Sequence, residues 1–216
     1  MLVGGCAVQN DTPNNTTVMT NNDPVLIGET LEPTKKTEPI TGTENETLLE
    51  NGTLVFGSLE APHTLHIFTE YHCEYCDDFH NDYLSWLKND YVKTGKLQIH
   101  LTLLAFKKYE DSFENQRLLF CAAKQNKGGA THHFLTNAEL PNKANLLGNN
   151  EVIGLDVDRF SLCINDANTD NLLVSQDTII NQNEITVVPT LILDGEKQTG
   201  LPYEADMRGW IKSVIK

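Results

Sequence analysis

The sequence predicts an α/β fold, a mixed sheet begun by a strand–helix–strand unit, extended by a long helical block and closed by a hairpin and a helix. Three observations predict it. Residues 64–69 and 97–104 are strand-like apolar runs on either side of a helical pattern over 73–91. A second kind of run, 187–193, is apolar, contains a proline and stops at the turn signal Asp194-Gly195. Between them, residues 109–183 are mostly helical in composition.

Each element follows from its residues. Residues 7–52 hold eight acidic residues and two lysines, a net charge of −6, with ten Thr, seven Asn and four Pro, and no aromatic residue precedes Phe56. So little apolar surface does not offset the entropy of ordering, which predicts a disordered acidic Thr/Asn/Pro-rich linker over 7–52 and a folded domain over 53–216. In that domain Thr64-Leu65-His66-Ile67-Phe68-Thr69 reads as a strand. Phe79, Tyr83, Trp86 and Leu87 share one face of the helix that follows, and Gly95 ends it. The next run, Leu97 to Leu104, is apolar enough for a central strand. Breaks in the helical block, about 109–183, fall near Gly128-Gly129, Pro141 and Gly148. After Asp194-Gly195 comes the returning strand, 196–199, and an amphipathic helix over about 203–214. A strand–helix–strand start implies a right-handed parallel crossover, and the hairpin adds antiparallel strands to the same sheet. This is the layout of a thioredoxin-like fold with a helical insertion.

Composition narrows the function. Sixteen basic against thirty acidic residues, a net charge of −14, argue against a nucleic-acid-binding surface or a polybasic membrane patch. No run of about 18 apolar residues is present, so no transmembrane helix is encoded. The five cysteines are an odd number, which in an oxidising compartment leaves one sulfur for another use. Met1-Leu2-Val3-Gly4-Gly5-Cys6 resembles a bacterial lipobox, which implies that residues 1–6 are the remnant of a lipoprotein signal and that Cys6 is the lipidated anchor. An accidental Gly-Gly-Cys is the alternative; the linker after Cys6 favours the anchor, because a tethered domain needs a spacer.

The chemistry concentrates at Cys73-Glu74-Tyr75-Cys76, a C-x-x-C pair at a predicted strand–helix junction. The helix N-terminus offers unpaired N–H groups and a positive dipole end to the first sulfur, stabilising its thiolate and making the disulfide easily reduced. Cys73 is the expected exposed, attackable sulfur and Cys76 its partly buried partner. A lone C-x-x-C is also often half of a zinc site, with His72 and His80 near enough to be conceivable ligands. Val188-Pro189-Thr190 favours redox chemistry. A proline at the start of an apolar strand costs a ladder bond, and in redox-active thioredoxin folds a cis peptide there faces the dithiol and excludes metal.

Together these residues carry a family resemblance. Gly57-Ser58 with Ala61-Pro62, Ile67 to Cys76, residues 116–125 around Cys121, Gly154-Leu155-Asp156 with Phe160 and Cys163, and Val188-Pro189-Thr190 with Asp194-Gly195 resemble, in order, the segments of DsbA-like thiol–disulfide oxidoreductases. The resemblance covers about 53–216. It implies an exported enzyme, in the periplasm or at the cell surface, that donates its disulfide to reduced, folding exported proteins without a further cofactor or metal. Its implied reoxidant is a membrane partner similar to DsbB or a VKOR-like protein, and the expected state is a monomer. Cys73 and Cys76 are then catalytic, Val188 and Pro189 align the substrate strand, and His72, Glu74, Tyr75 and Glu70 tune the thiolate. Cys121 and Cys163 pair as a structural disulfide in some members, an expectation weighed against two buried thiols.

Departures from the family also matter. Ile67 stands where many members have a buried acid, which leaves Glu70 or water to handle the proton of Cys76. Glu74-Tyr75 replaces the Pro-His of strong oxidants, and a carboxylate beside Cys73 disfavours its thiolate unless a protonated His72 compensates. Gly128-Gly129 replaces aromatic core residues and puts local packing in question. His132-His133 is expected at a helix surface or partly packed, and His63, His66 and His72 form a candidate cluster near the motif. The rival readings are a disulfide reductase or isomerase of the same fold, and a thioredoxin-like copper-binding protein.

Overall fold

A computed structural model describes residues 6–7 and 45–216. The expected signal remnant before Cys6, and most of the expected linker, lie outside the described residues. Eight strands are described: β1 Cys6–Ala7, β2 Glu46–Leu48, β3 Leu54–Phe56, β4 His63–Thr69, β5 Leu97–Leu103, β6 Val187–Val188, β7 Thr190–Leu193 and β8 Glu196–Thr199. The main sheet runs β2-β3-β5-β4-β7-β8, with β4 and β5 parallel and all other pairs antiparallel. β1 pairs with β6 in a separate two-stranded ribbon.

The crossover between β4 and β5 is one continuous helical segment. It begins as α1 Glu74–Phe79, widens to π-helical turns over His80–Leu84, narrows in α2 Ser85–Leu87 and widens again over Lys88–Val92. The insertion holds α3 Ser112–Ala123, α4 Gly128–Thr136, α5 Lys143–Gly148, α6 Asn150–Ile153, α7 Val157–Ile164 and α8 Asn168–Gln182, and α9 Glu204–Val214 follows the hairpin.

Register explains the core. Leu193, Leu65, Ile99 and Phe56 are successive partners across four strands, as are Leu191, Ile67, Leu101 and Leu54, so the centre of one sheet face is apolar. Phe79, Leu87, Leu118, Met207 and Ile211 pack into the cluster these rows form, and each is buried. The alternate row, Ile192-His66-His100-Val55, puts two histidines on the other face.

The start of the fold differs from expectation. The expected linker reaches to 52, yet Glu46–Leu48 is an ordered strand paired with β3. Its polar, three-residue sequence carries no strand signal, and partners remote in sequence order it. The Glu46 carboxylate accepts hydrogen bonds from the Gly128 and Gly129 N–H groups at 2.6 and 2.7 Å, satisfying the N-terminus of α4. The glycines start a helix instead of breaking one. A Cβ on Gly128 would lie 2.9 Å from the Ala123 Cβ and 3.0 Å from Leu54, so glycine is what lets α3 and β3 approach α4. Gly128→Ala is therefore expected to cost about 1–3 kcal/mol, read as a lower urea midpoint. Cys121 and Cys163 are joined in a disulfide with Cα atoms 5.7 Å apart, which ties α3 to α7.

Candidate active site

Cys73 is the N-cap of α1, with extended backbone, and its carbonyl accepts from the Cys76 and Asp77 N–H groups at 2.8 and 3.1 Å. The two cysteines are present as a dithiol. The Val188–Pro189 peptide is cis, and the Cys73 thiol lies 3.6 Å from the Val188 carbonyl oxygen. Residues 115 apart in sequence thus meet at the dithiol.

The expected exposure of Cys73 is not what the structure shows. Both sulfur-bearing residues are 0% exposed, in an apolar cluster with Phe68, Leu104, Phe106, Ile185 and Val188. Burial comes from elements far along the chain, and no local pattern announces it. The Cys76 thiol is pushed well above its ordinary value by burial, then by the hydrogen bond to Cys73 and the charge there; the Thr69 hydroxyl and a Glu70 backbone group act in the opposite direction.

The expected tuning residues divide. Glu74 is exposed, and Tyr75 is half-buried against both apolar clusters. Glu70 is buried, but its carboxylate is engaged away from Cys76: it accepts from the His72 N–H at 2.6 Å, from His72 Nδ1 at 2.9 Å and from Ser112 Oγ at 2.8 Å. The side-chain group that acts to lower the Cys76 thiol is the Thr69 hydroxyl, and Glu70 acts on it only through its backbone. His72 Nε2 faces Asp111 at 3.0 Å and its ring stacks on Tyr109 at 4.2 Å between centroids. Both ring nitrogens face carboxylates, an arrangement an imidazolium satisfies with two donated bonds. Ile67, in place of the family's acid, is fully buried core.

Asp77, which sequence reasoning missed, has a half-buried carboxyl whose Oδ1 is buried without a hydrogen-bond partner. Burial first, then charge on Cys73, Glu70 and Asp78, raises it to about 7. An acid titrating next to Cys73 opposes a Cys73 thiolate, as Glu74 was expected to do.

The candidate histidine cluster does not form. His63 Nδ1 pairs with Asp194 at 2.7 Å, and His66 Nε2 meets Thr102 Oγ1 at 2.7 Å on the mixed sheet face. His132, expected at a helix surface or partly packed, is buried. Among the described residues no group of three His, Cys, Asp or Glu side chains is placed to hold a metal ion. No helix among the described residues is long and apolar enough to cross a membrane.

Buried imidazoles set a pH dependence. Burial, then the charge of His100, lowers His66 to about 4, and burial foremost lowers His80 to about 3. Unfolded imidazoles protonate near 6.5, so unfolding takes up protons below that pH and stability is lost as pH falls from 6.5 toward 4 and 3. Each such group contributes a slope of up to about 1.4 kcal/mol per pH unit. Urea midpoints across this window are expected to fall with pH, less steeply in His66→Gln.

The fold and this site together define a protein of the thioredoxin family whose fold is like that of DsbA proteins. The chain belongs to the thioredoxin family whose model, Thioredoxin_4, described as Thioredoxin, matches residues 49–213. Among solved structures it is similar to a thioredoxin-like oxidoreductase from Silicibacter pomeroyi DSS-3, at 16% identity over 76% of this chain and 92% of that one, with a TM-score of 0.64. It is also similar to Wolbachia pipientis alpha-DsbA1, at 20% identity over 74% and 89%, TM-score 0.63. BdbD from Bacillus subtilis matches at 13% identity over 74% and 90%, TM-score 0.64. No curated protein sequence matches the chain.

Proposed function

We propose that the protein is an exported oxidase that introduces disulfides into folding proteins. The observation that carries this reading is the Cys73 sulfur at the N-terminus of α1, 3.6 Å from the carbonyl that precedes Pro189. In the oxidised enzyme, a substrate thiolate attacks Cys73, the Cys73–Cys76 bond breaks, and Cys76 leaves as a thiolate. A second substrate thiolate then attacks the substrate sulfur of the mixed disulfide and displaces Cys73. The substrate gains a disulfide, the enzyme keeps two electrons as its dithiol, and a membrane DsbB-like or VKOR-like partner removes them.

Strand addition at Val188 fits this scheme, since main-chain hydrogen bonds recognise many substrates without reading their side chains. The backbone of β6 already accepts an extended segment, with Cys6 opposite Val188 and Ala7 opposite Val187. A substrate pairing there takes the place of β1. The lipidated Cys6 and the acidic tether are part of the same proposal and put the enzyme outside the cytoplasm. The test is to mix the oxidised protein with a reduced, unfolded secretory protein under anaerobic conditions. Substrate thiols are expected to disappear in step with the appearance of the Cys73 and Cys76 thiols; an enzyme that only reduces substrate disulfides contradicts the direction proposed.

A further inference from the structure

Five of the seven asparagines in residues 7–52 stand two places before a threonine with no proline between: Asn10, Asn14, Asn15, Asn45 and Asn51. Ten Thr in those 46 residues would by composition alone produce that spacing once or twice. None of the fourteen asparagines beyond Gly52 has Ser or Thr two places on. Asn-x-Thr is the acceptor pattern for N-linked glycosylation of exported chains. Asn10, Asn14 and Asn15 lie outside the described residues, and Asn45 and Asn51 lie within them.

Both described asparagines are exposed, and they flank β2: Asn45 precedes it and Asn51 sits in the turn to β3. β2 is the outermost strand of the main sheet, at the edge opposite β8. The turn accounts for two residues of Asn51-Gly52-Thr53 and not for the third. Asn51 Oδ1 accepts from the Thr53 N–H at 3.1 Å, a bond that closes the turn, and Nδ2 makes no hydrogen bond among the described residues. Gly52 has a φ of +83°, and its carbonyl accepts from Gln176 Nε2 at 2.9 Å. Thr53 is 1% exposed, and its Oγ1 is buried with no hydrogen-bond partner among the described residues. A buried hydroxyl without a bond costs stability, and valine would keep the β-branched shape without that cost. A hydroxyl that the fold does not use is the group an enzyme reading Asn-x-Thr requires.

We propose that Asn45 and Asn51 are N-glycosylated, a modification that rests on the export proposed above. In the transfer, Nδ2 attacks the anomeric carbon of a lipid-linked oligosaccharide. The N–C bond forms, the C–O bond to the lipid phosphate breaks, the phosphate leaves with the electron pair, and one Nδ2 hydrogen passes as a proton to a base of the transferase. Nothing is oxidised or reduced. Because Thr53 is buried in the fold, the transferase reads it before β3 packs. Sugars at both ends of β2 then cover an open sheet edge that would otherwise invite pairing with other chains, and they leave β6 as the place for an incoming strand.

The test is the mass of the peptides containing Asn45 and Asn51, taken from the full chain made in its own cells. Each is expected to carry an added oligosaccharide on the asparagine. Asn51→Gln and Thr53→Val are expected to remove the Asn51 glycan and Thr53→Ser to retain it; a Thr53→Val protein that keeps the glycan overturns the part given to Thr53. Measured on unglycosylated protein made in a host without the transferase, Thr53→Val is also expected to raise the urea midpoint, so that its lost glycan is not a folding defect. A lowered midpoint would give the hydroxyl a structural use and overturn its assignment to the transferase. Cell fractionation separates the two proposals. Unmodified asparagines in protein recovered outside the cytoplasm overturn the glycan sites and leave export standing, whereas protein confined to the cytoplasm counts against export, and the glycan sites fall with it.

Discussion

Cys73→Ser is expected to lower substrate oxidation by more than about a thousandfold, because in the proposed scheme the Cys73 sulfur, which donates to the Val188 carbonyl, is the one that forms the mixed disulfide. Cys76→Ser is expected to fail differently. It keeps the Cys73 nucleophile and loses the partner sulfur, so a Cys73 thiolate that attacks a substrate disulfide, expelling the other substrate sulfur as a thiolate, should accumulate as a mixed disulfide, visible as thiol-sensitive adducts on nonreducing gels. Equal behaviour of the two variants, with no adducts on either, contradicts the division of labour between the sulfurs. Both variants should fold, since each replaces a thiol by a hydroxyl of similar shape.

The second large effect concerns stability. The Cys121–Cys163 bond closes a loop of 42 residues, and in the chain-entropy model its removal costs about 3–4 kcal/mol. Cys121→Ala/Cys163→Ala is expected to show that loss as a lower urea midpoint while leaving the exchange rate of the remaining dithiol close to normal, since the bond ties α3 to α7 and not to α1. A loss below about 1 kcal/mol would mean that helix packing, not the covalent link, holds the insertion together. Buried Phe120 and Phe160 stand next to the bridge in sequence and supply the competing contribution.

How much of this was legible in the sequence depends on how local each signal is. The C-x-x-C pair and the hairpin at Asp194-Gly195 are readable because a few adjacent residues define them. The strand β2 is not: its order comes from Leu54–Phe56 and from two amide groups at Gly128 and Gly129, more than 80 residues away. The same contact resolves the question those glycines raised. The apolar cluster that holds Cys73 adds to the nearby Phe68 four residues remote in sequence, Leu104, Phe106, Ile185 and Val188. The hydrogen-bonded file Thr69-His80-His132-Tyr71 joins residues 11, 52 and 61 apart, and no local pattern announces it. The Cys121–Cys163 pairing was available from family resemblance and not from spacing.

Two opposing influences on the Cys73–Cys76 couple are visible in the site. The α1 N-terminus favours a thiolate at Cys73, and the acids at Glu74 and Asp77 oppose it. For the oxidase proposed above, their balance is expected to give a potential below that of the strongest oxidants of its kind but above that of a reductase. The equilibrium potential of the Cys73–Cys76 couple, measured against glutathione, tests this directly. A value between about −120 mV, that of DsbA, and the glutaredoxin range near −200 to −230 mV is the expected result. A value at or below that of thioredoxin, about −270 mV, would contradict the oxidase account and assign the same fold and dithiol to reduction.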